Sequence, residues 1–283
     1  MLTVLEVIKK TTEFFAARAI ESPRLNAELI VGHALGLKRM QLYLQFERPL
    51  AEAELEKIRP LVRRRSLHEP VQYVLGETEF FGLRLKVDRR ALIPRPETEL
   101  LVEHAIAAHA TPPPGTILDL GTGSGAIALA LAQAFPAAAV TAVELSEDAL
   151  ELARENAETT GLRERIRFVR SNWFAEIPAD SRFDLIVANP PYLSAEEVKA
   201  TPLEVREFEP STALIASQDG IEELLAIIAT APLFLAANGG VLALETGIAH
   251  HATLLEAATK AGFGQSESRQ DLTGRDRFVL AFL

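Results

Sequence analysis

The run from Thr116 to Glu144 limits the fold more than any other part of the chain. Thr116-Ile117-Leu118-Asp119-Leu120 is a short apolar strand, and Gly121-Thr122-Gly123-Ser124-Gly125 turns the chain into Ala126-Ile127-Ala128-Leu129-Ala130-Leu131-Ala132, a strong helix former. A second strand, Ala139-Val140-Thr141-Ala142-Val143, ends in Glu144. Strand, tight turn, helix and strand at this spacing make a parallel βαβ unit, which requires an α/β sheet covered on both faces. The glycines let the backbone approach a ligand without a Cβ in the way, and Glu144 is an acceptor placed for two ribose hydroxyls.

Two enzyme classes share this unit. Gly121-x-Gly123-x-x-Ala126 satisfies the dinucleotide fingerprint of nicotinamide dehydrogenases, and the same loop serves methyltransferases that use S-adenosyl-L-methionine. Asp119 favours the second, because a carboxylate there would repel a pyrophosphate but suit the ammonium of a methionine-like tail. Its alternative role is to cap the N–H groups of its own loop. A non-catalytic module that binds the same donor is a third reading.

A second motif supplies an acceptor site. Phe183-Asp184-Leu185-Ile186-Val187-Ala188 reads as a buried strand, and Asn189-Pro190-Pro191-Tyr192 follows at its carboxyl end, where open α/β sheets bind ligands. Two consecutive prolines fix φ and hold the preceding residue extended, giving a rigid, non-helical lip. Asn189 offers an amide oxygen, the Pro190 carbonyl a second acceptor, Pro191 rigidity and Tyr192 a flat face. Two acceptors beside an aromatic wall suit a planar NH₂ group, either a carboxamide or the exocyclic amine of a base. Alternatively, the tetrapeptide is a strand-ending turn with Tyr192 as a structural aromatic.

The combined pattern resembles the class I S-adenosylmethionine-dependent methyltransferases, and within them the HemK-type (PrmC) protein-(glutamine-N5) methyltransferases of peptide-chain release factors. Beyond the two motifs, the segments Arg64-Arg65-x-x-His68-Glu69-Pro70-x-Gln72-Tyr73, Gly76-Glu77-x-Glu79-Phe80-Phe81-Gly82 and Leu92-Ile93-Pro94-Arg95-Pro96-Glu97-Thr98-Glu99 are similar to that family's linker. So are Glu204-Val205-Arg206-x-x-Glu209-Pro210 and Asp219-Gly220. The resemblance implies a Rossmann-like core whose mostly parallel seven-stranded sheet has an antiparallel last strand, preceded by a small helical domain and a β-hairpin linker. It implies S-adenosylmethionine as methyl donor, S-adenosylhomocysteine as product and the glutamine of a Gly-Gly-Gln motif as target. The donor would lie on Asp119, Gly121, Thr122, Gly123, Ser124, Gly125, Glu144, Asn172, Trp173 and Asn189. Asn189, Pro190, Pro191 and Tyr192 would hold the substrate, with Asn189, Pro190 and Tyr192 nearest the chemistry. In this family Asn172 and Glu144 stand where Asp is more usual; Asn172 keeps an oxygen acceptor, and Glu144 is one methylene longer. Methylation of an exocyclic amine such as N6 of adenine in DNA or RNA is the alternative with the same chemistry.

Composition narrows the partners. The 283 residues carry a net charge of -10, and no aromatic-interleaved basic stripe marks a nucleic-acid surface, so a protein substrate is expected and direct nucleic-acid binding is not. The only basic run, Arg63-Arg64-Arg65, reads as a solvated helix face. There is no cysteine, hence no disulfide or thiolate chemistry, and the six histidines show no metal-ligand spacing. Charges within the first ten residues argue against a signal peptide, and prolines and glycines interrupt both long apolar runs, so a cytoplasmic protein without membrane segments is expected.

The expected domains are 1–75, helical and substrate-docking; 76–110, hairpin and proline-rich linker; and 111–283, donor-binding. Helices are expected over about 3–19, 23–35, 39–45 and 51–67, the second capped by Ser22 with Pro23 at its first position and the fourth kinked at Pro60, and a hairpin pairs 72–81 with 83–87. A helix over 97–109 leads into the alternating strands and helices of the core, and Asp219 is expected to cap the helix that follows it.

Overall fold

The computed structural model describes residues 1–109, 112–216, 220–237 and 239–283. The chain forms two compact units, one of Met1–Glu77 with Pro202–Phe208, the other of Thr78–Thr201 with Glu209–Leu283. Asp219 lies outside the described residues.

The first unit is helical. Helix α1 (Val4–Ala16) opens on a capping box, in which the Thr3 hydroxyl accepts from Glu6 N (3.2 Å) and the Glu6 carboxylate accepts from Thr3 N (2.7 Å). Helix α2 (Pro23–Leu35) starts on proline as expected, but Ser22 takes φ +47 and makes no side-chain cap. Asn26 instead donates to the carbonyls of Glu21 and Ser22. Helices α3 (Arg39–Tyr43) and α4 (Glu52–Ser66) follow, α4 running continuously past Pro60. A further helix, α5 (Val71–Leu75), occupies what the sequence pattern assigned to a hairpin arm. Pro70 before it and left-handed Gly76 after it are the boundary residues of a short helix. Val4, Phe15, Ile30, Val31, Leu42, Leu50 and Ile58 make the core.

The basic run is a solvated face only in part: Arg63 and Arg64 are exposed, Arg65 is not. Arg65 is buried, with Nε on Asn26 Oδ1 at 2.7 Å, Nη1 on the Glu69 carbonyl at 3.0 Å and Nη2 on Glu204 at 2.7 Å. Arg64 grips the Glu69 carboxylate with two nitrogens (2.9 and 2.7 Å) and donates to the carbonyls of Tyr73 and Val74. These arginines tie α4 to the segment after it, a use that charge patterning alone does not reveal.

The second unit carries the sheet. Strands β1 (Glu77–Phe80) and β2 (Leu83–Lys86) form a hairpin whose two turn residues, Phe81 and Gly82, both have positive φ. Helix α6 (Pro96–Ala108) leads to β3 (Thr116–Leu120), α7 (Ala126–Ala134), β4 (Ala139–Glu144), α8 (Glu147–Thr159), β5 (Ile166–Arg170) and β6 (Leu185–Ala188). Two short helices follow, α9 (Ala195–Ala200) and, in the first unit, α10 (Leu203–Phe208). Helix α11 (Glu222–Thr230), β7 (Val241–Glu245), α12 (His251–Ala261), β8 (Gln265–Gln270) and β9 (Asp276–Phe282) complete the chain.

The seven strands run in the order β5-β4-β3-β6-β7-β9-β8, parallel from β5 to β7, with β9 antiparallel to both of its neighbours. Alternate residues feed two cores: Ile117, Val140, Leu185 and Val241 pack with α6 and α7, while Leu118, Ile186, Leu242 and Val279 pack with α11 and α12. Buried Asn156 on α8 exchanges hydrogen bonds with the Lys86 backbone and donates to the Ser124 carbonyl, so hairpin, α8 and glycine loop share one anchor. Strand order reverses between β3 and β6, and an open sheet has its ligand crevice at the carboxyl ends of such a pair.

Candidate active site

A cavity of ≈ 420 Å³ occupies that crevice, within the range of small-molecule sites. Its lining includes Gly121, Thr122, Gly123, Ser124, Glu144, Asn172 and Trp173 on the glycine-loop side, with Asn189 and Pro191 on the lip. Asp119, Gly125, Pro190 and Tyr192 do not line it, although the sequence pattern placed all four at the site.

The glycine-loop wall is made mostly of backbone. Gly121 and Thr122 donate their N–H groups to the Val143 carbonyl (2.8 and 2.9 Å), which pins the turn to β4. Glu144 accepts from Gly123 N at 3.0 Å through one oxygen, and from Leu145 N and Ser146 N at 2.9 and 3.0 Å through the other. Its carboxylate is thereby fixed at the cavity wall. Gly121 has φ +72, and a Cβ there would stand 3.2 Å from the Trp173 ring. Trp173 itself takes φ +50, held in a turn where Ser171 Oγ donates to the Trp173 carbonyl (3.0 Å) and accepts from Glu176 N (2.9 Å). Gly125 acts away from the cavity: it starts α7 in a left-handed conformation, and its missing Cβ makes room for Ala153 of α8.

Asp119 lies fully buried behind the loop. Its Oδ2 accepts from Thr122 Oγ1 at 2.6 Å and from Ala128 N at 3.1 Å, the loop-capping role, while Oδ1 has no hydrogen-bond partner. Burial pushes its carboxyl up to about 7, against the pull of those two hydrogen bonds.

The lip is held by side chains from distant parts of the chain. Asn189 Nδ2 donates to Thr98 Oγ1 at 3.2 Å, and Thr98 Oγ1 donates to Glu245 Oε2 at 2.7 Å. Glu245 Oε1 accepts from the Tyr192 hydroxyl at 3.3 Å and from Arg277 Nη2 at 3.4 Å, and the same Arg277 nitrogen donates to the Tyr192 oxygen at 2.7 Å. Burial pushes the Glu245 carboxyl up, while the Thr98 hydrogen bond, the Arg277 charge and the Tyr192 hydroxyl pull it down. Burial likewise raises the Tyr192 phenol to about 12. Tyr192 is half-buried, with its hydroxyl bonded to Glu245 and Arg277. Pro190 is buried one residue behind the wall formed by Asn189 and Pro191.

Thr98, Glu245 and Arg277 were not singled out from the sequence. Thr98 lies inside the quoted Leu92–Glu99 segment, and Glu245 is an acid ending an otherwise apolar strand, the one local signal that could have marked it. Among the described residues no group of acidic or histidine side chains is arranged to hold a metal ion, and no helix is long and apolar enough to cross a membrane. His104 packs edge-on to Phe278, His109 bonds the Asp184 carbonyl, and His251 sits between Thr246 and Ser268.

The strand order, the reversed β9 and a cavity between glycine loop and lip define a class I methyltransferase. The family model described as PrmC N-terminal domain matches residues 6–76, and that described as Methyltransferase small domain matches 96–207. The release factor glutamine methyltransferase of Chlorobaculum tepidum is 45% identical over 97% of this chain and 95% of its own length; that of Geobacter sulfurreducens is 42% identical over 98% and 95%. This chain belongs to the release factor glutamine methyltransferase family. A methyltransferase crystal structure from Pyrococcus furiosus, with TM-score 0.54 and 21% identity over 71% of this chain and 89% of that one, shares the fold.

Proposed function

We propose that the protein transfers a methyl group from S-adenosylmethionine to the side-chain amide nitrogen of the glutamine in the Gly-Gly-Gln motif of peptide-chain release factors, with S-adenosylhomocysteine as product. The observation that carries this reading is the Asn189 amide on the cavity wall, its NH₂ turned to Thr98 and its oxygen therefore free to accept from a planar NH₂ group.

The residues present fit the donor. The unpartnered, buried Asp119 Oδ1 matches an ammonium, fixed Glu144 matches a ribose diol, and the Trp173 ring with Asn172 matches an adenine and its amine. Bound, the donor supplies a methyl group already activated by a sulfonium. The protein's own task is to align the acceptor nitrogen behind that methyl and exclude water. Asn189 Oδ1 accepts an amide proton of the substrate, which holds the amide in place and favours positive charge developing on its nitrogen. The product nitrogen is acidic enough to lose its proton to water, so no strong base is required. The helical unit is the docking platform for the protein substrate.

Transfer of labelled methyl to an intact release factor, beside a Gln→Ala variant of its Gly-Gly-Gln loop and duplex DNA, tests this. Label on the intact factor alone is expected; label on DNA, or on the Gln→Ala factor, would overturn the substrate reading.

A further inference from the structure

The amide of an asparagine can stand either way round, and only one way gives the cavity an acceptor. We propose that Glu245, acting through Thr98, sets the orientation of the Asn189 amide. This rests on the reading of Asn189 as the acceptor for the substrate amide.

Glu245 is fully buried, and three donors converge on its carboxylate: the hydroxyls of Thr98 (2.7 Å) and Tyr192 (3.3 Å), and Arg277 Nη2 (3.4 Å). The geometry casts Glu245 as acceptor at both oxygens: Oε2 takes the Thr98 hydroxyl, and Oε1 takes the Tyr192 hydroxyl and the donor-only Arg277 guanidinium. The Thr98 hydroxyl has one proton, and it goes to Glu245. What Thr98 has left to offer Asn189 is a lone pair, so Asn189 must present its NH₂, as it does at 3.2 Å. A flipped amide would set its oxygen against that of buried Thr98, in a part-buried place where an unmade hydrogen bond is costly. The polarity of a hydrogen-bond chain that begins at a charge thus fixes Oδ1 toward the cavity. Thr98 and Glu245 are positioning residues; Asn189 is the group that meets the substrate.

The consequence is a reversal. In Glu245→Gln, the new amide turns its oxygen to the donor-only Arg277 and its NH₂ to Thr98. Thr98 then accepts from Gln and gives its proton to Asn189 Oδ1, which presents the Asn189 NH₂ to the substrate NH₂. Turnover should fall roughly 100-fold, the scale of losing one preorganised transition-state partner, with donor affinity within about 2-fold of wild type. Thr98→Val breaks the chain without reversing it and should cost only about 3-fold, because the freed amide can still turn to the substrate. Thr98→Ser should match wild type. Adding Thr98→Val to Glu245→Gln should restore turnover to the level of Thr98→Val alone, an effect that damage to the fold would not produce.

The orientation also has a readout without catalysis. The Asn189 side-chain NH₂ signals in ¹⁵N spectra, assigned by their loss in Asn189→Ala, should exchange with water faster in Glu245→Gln than in wild type. Unchanged exchange in Glu245→Gln, or a double variant no faster than Glu245→Gln, would overturn the proposal. Failure of the wild-type protein to methylate a release factor, with the exchange still controlled by position 245, would instead sink the function reading and leave the orientation standing.

Discussion

The two walls of the cavity are held by different means. The glycine-loop wall is fixed by backbone N–H groups that find partners close by in the chain, on the Val143 carbonyl and the Glu144 carboxylate. The lip is fixed by a side-chain chain that starts at Arg277 and passes through Glu245 and Thr98 to Asn189. A backbone wall has one arrangement and is vulnerable to added bulk. A side-chain wall keeps its shape under isosteric change yet can invert its hydrogen-bonding sense. The two should therefore fail differently.

The strongest test of the difference is Asn189→Ala, which should lower turnover roughly 10²- to 10³-fold, since it deletes the acceptor proposed for the substrate amide. Titration calorimetry should show donor affinity nearly unchanged, because the opposite wall is intact; a parallel loss of donor binding would merge the two walls into one.

Next comes the pH dependence of Asp119. Its carboxyl is raised from the unfolded value to about 7 by burial, so the folded state holds a proton that the unfolded state has released. Its contribution to stability is full below the unfolded pKa and lost as pH rises through about 7. Urea unfolding at pH 5 and pH 8 should show a decline of roughly 2–4 kcal/mol in wild type beyond that in Asp119→Asn. Equal declines would mean that Asp119 is not the titrating group.

Gly121→Ala probes the backbone wall by bulk. Left-handed φ and the 3.2 Å approach to Trp173 should cost about 1–3 kcal/mol of unfolding free energy, with weaker donor binding and unchanged turnover at saturating donor. The smallest effect is expected for Tyr192→Phe, which keeps the half-buried ring and removes a hydroxyl facing Glu245 and Arg277. Turnover should fall less than about 5-fold; a loss as large as that of Asn189→Ala would return Tyr192 to direct contact with the substrate.

The same contrast explains what the sequence made legible. The strand–glycine–helix–strand run fixes its own geometry within one supersecondary unit, so the sheet, the loop and Glu144 could be found from local pattern. Ser22 and residues 71–75 were misread because Asn26 and the Pro70–Gly76 boundaries override local propensity. Arg64 and Arg65 read as solvated because charge runs usually are, whereas here Asn26, Glu69 and Glu204 give them partners. Thr98 and Glu245 lie far apart in the chain and meet only in the fold, so no spacing announces them. Tyr192 was assigned to the substrate because its motif is local, but its hydroxyl bonds residues that are not.

Strand β9 has a consequence for how the chain comes off the ribosome. Because it runs against the parallel strands, its first residues reach the edge where those strands end, and Arg277 stands beside Phe278, the partner of Glu245 in the ladder. The parallel half of the sheet and the glycine loop can assemble while later residues are still being made. The lip cannot: its counter-charge comes on β9, after every parallel strand. A nascent chain should thus complete its glycine loop before it acquires the oriented amide of Asn189.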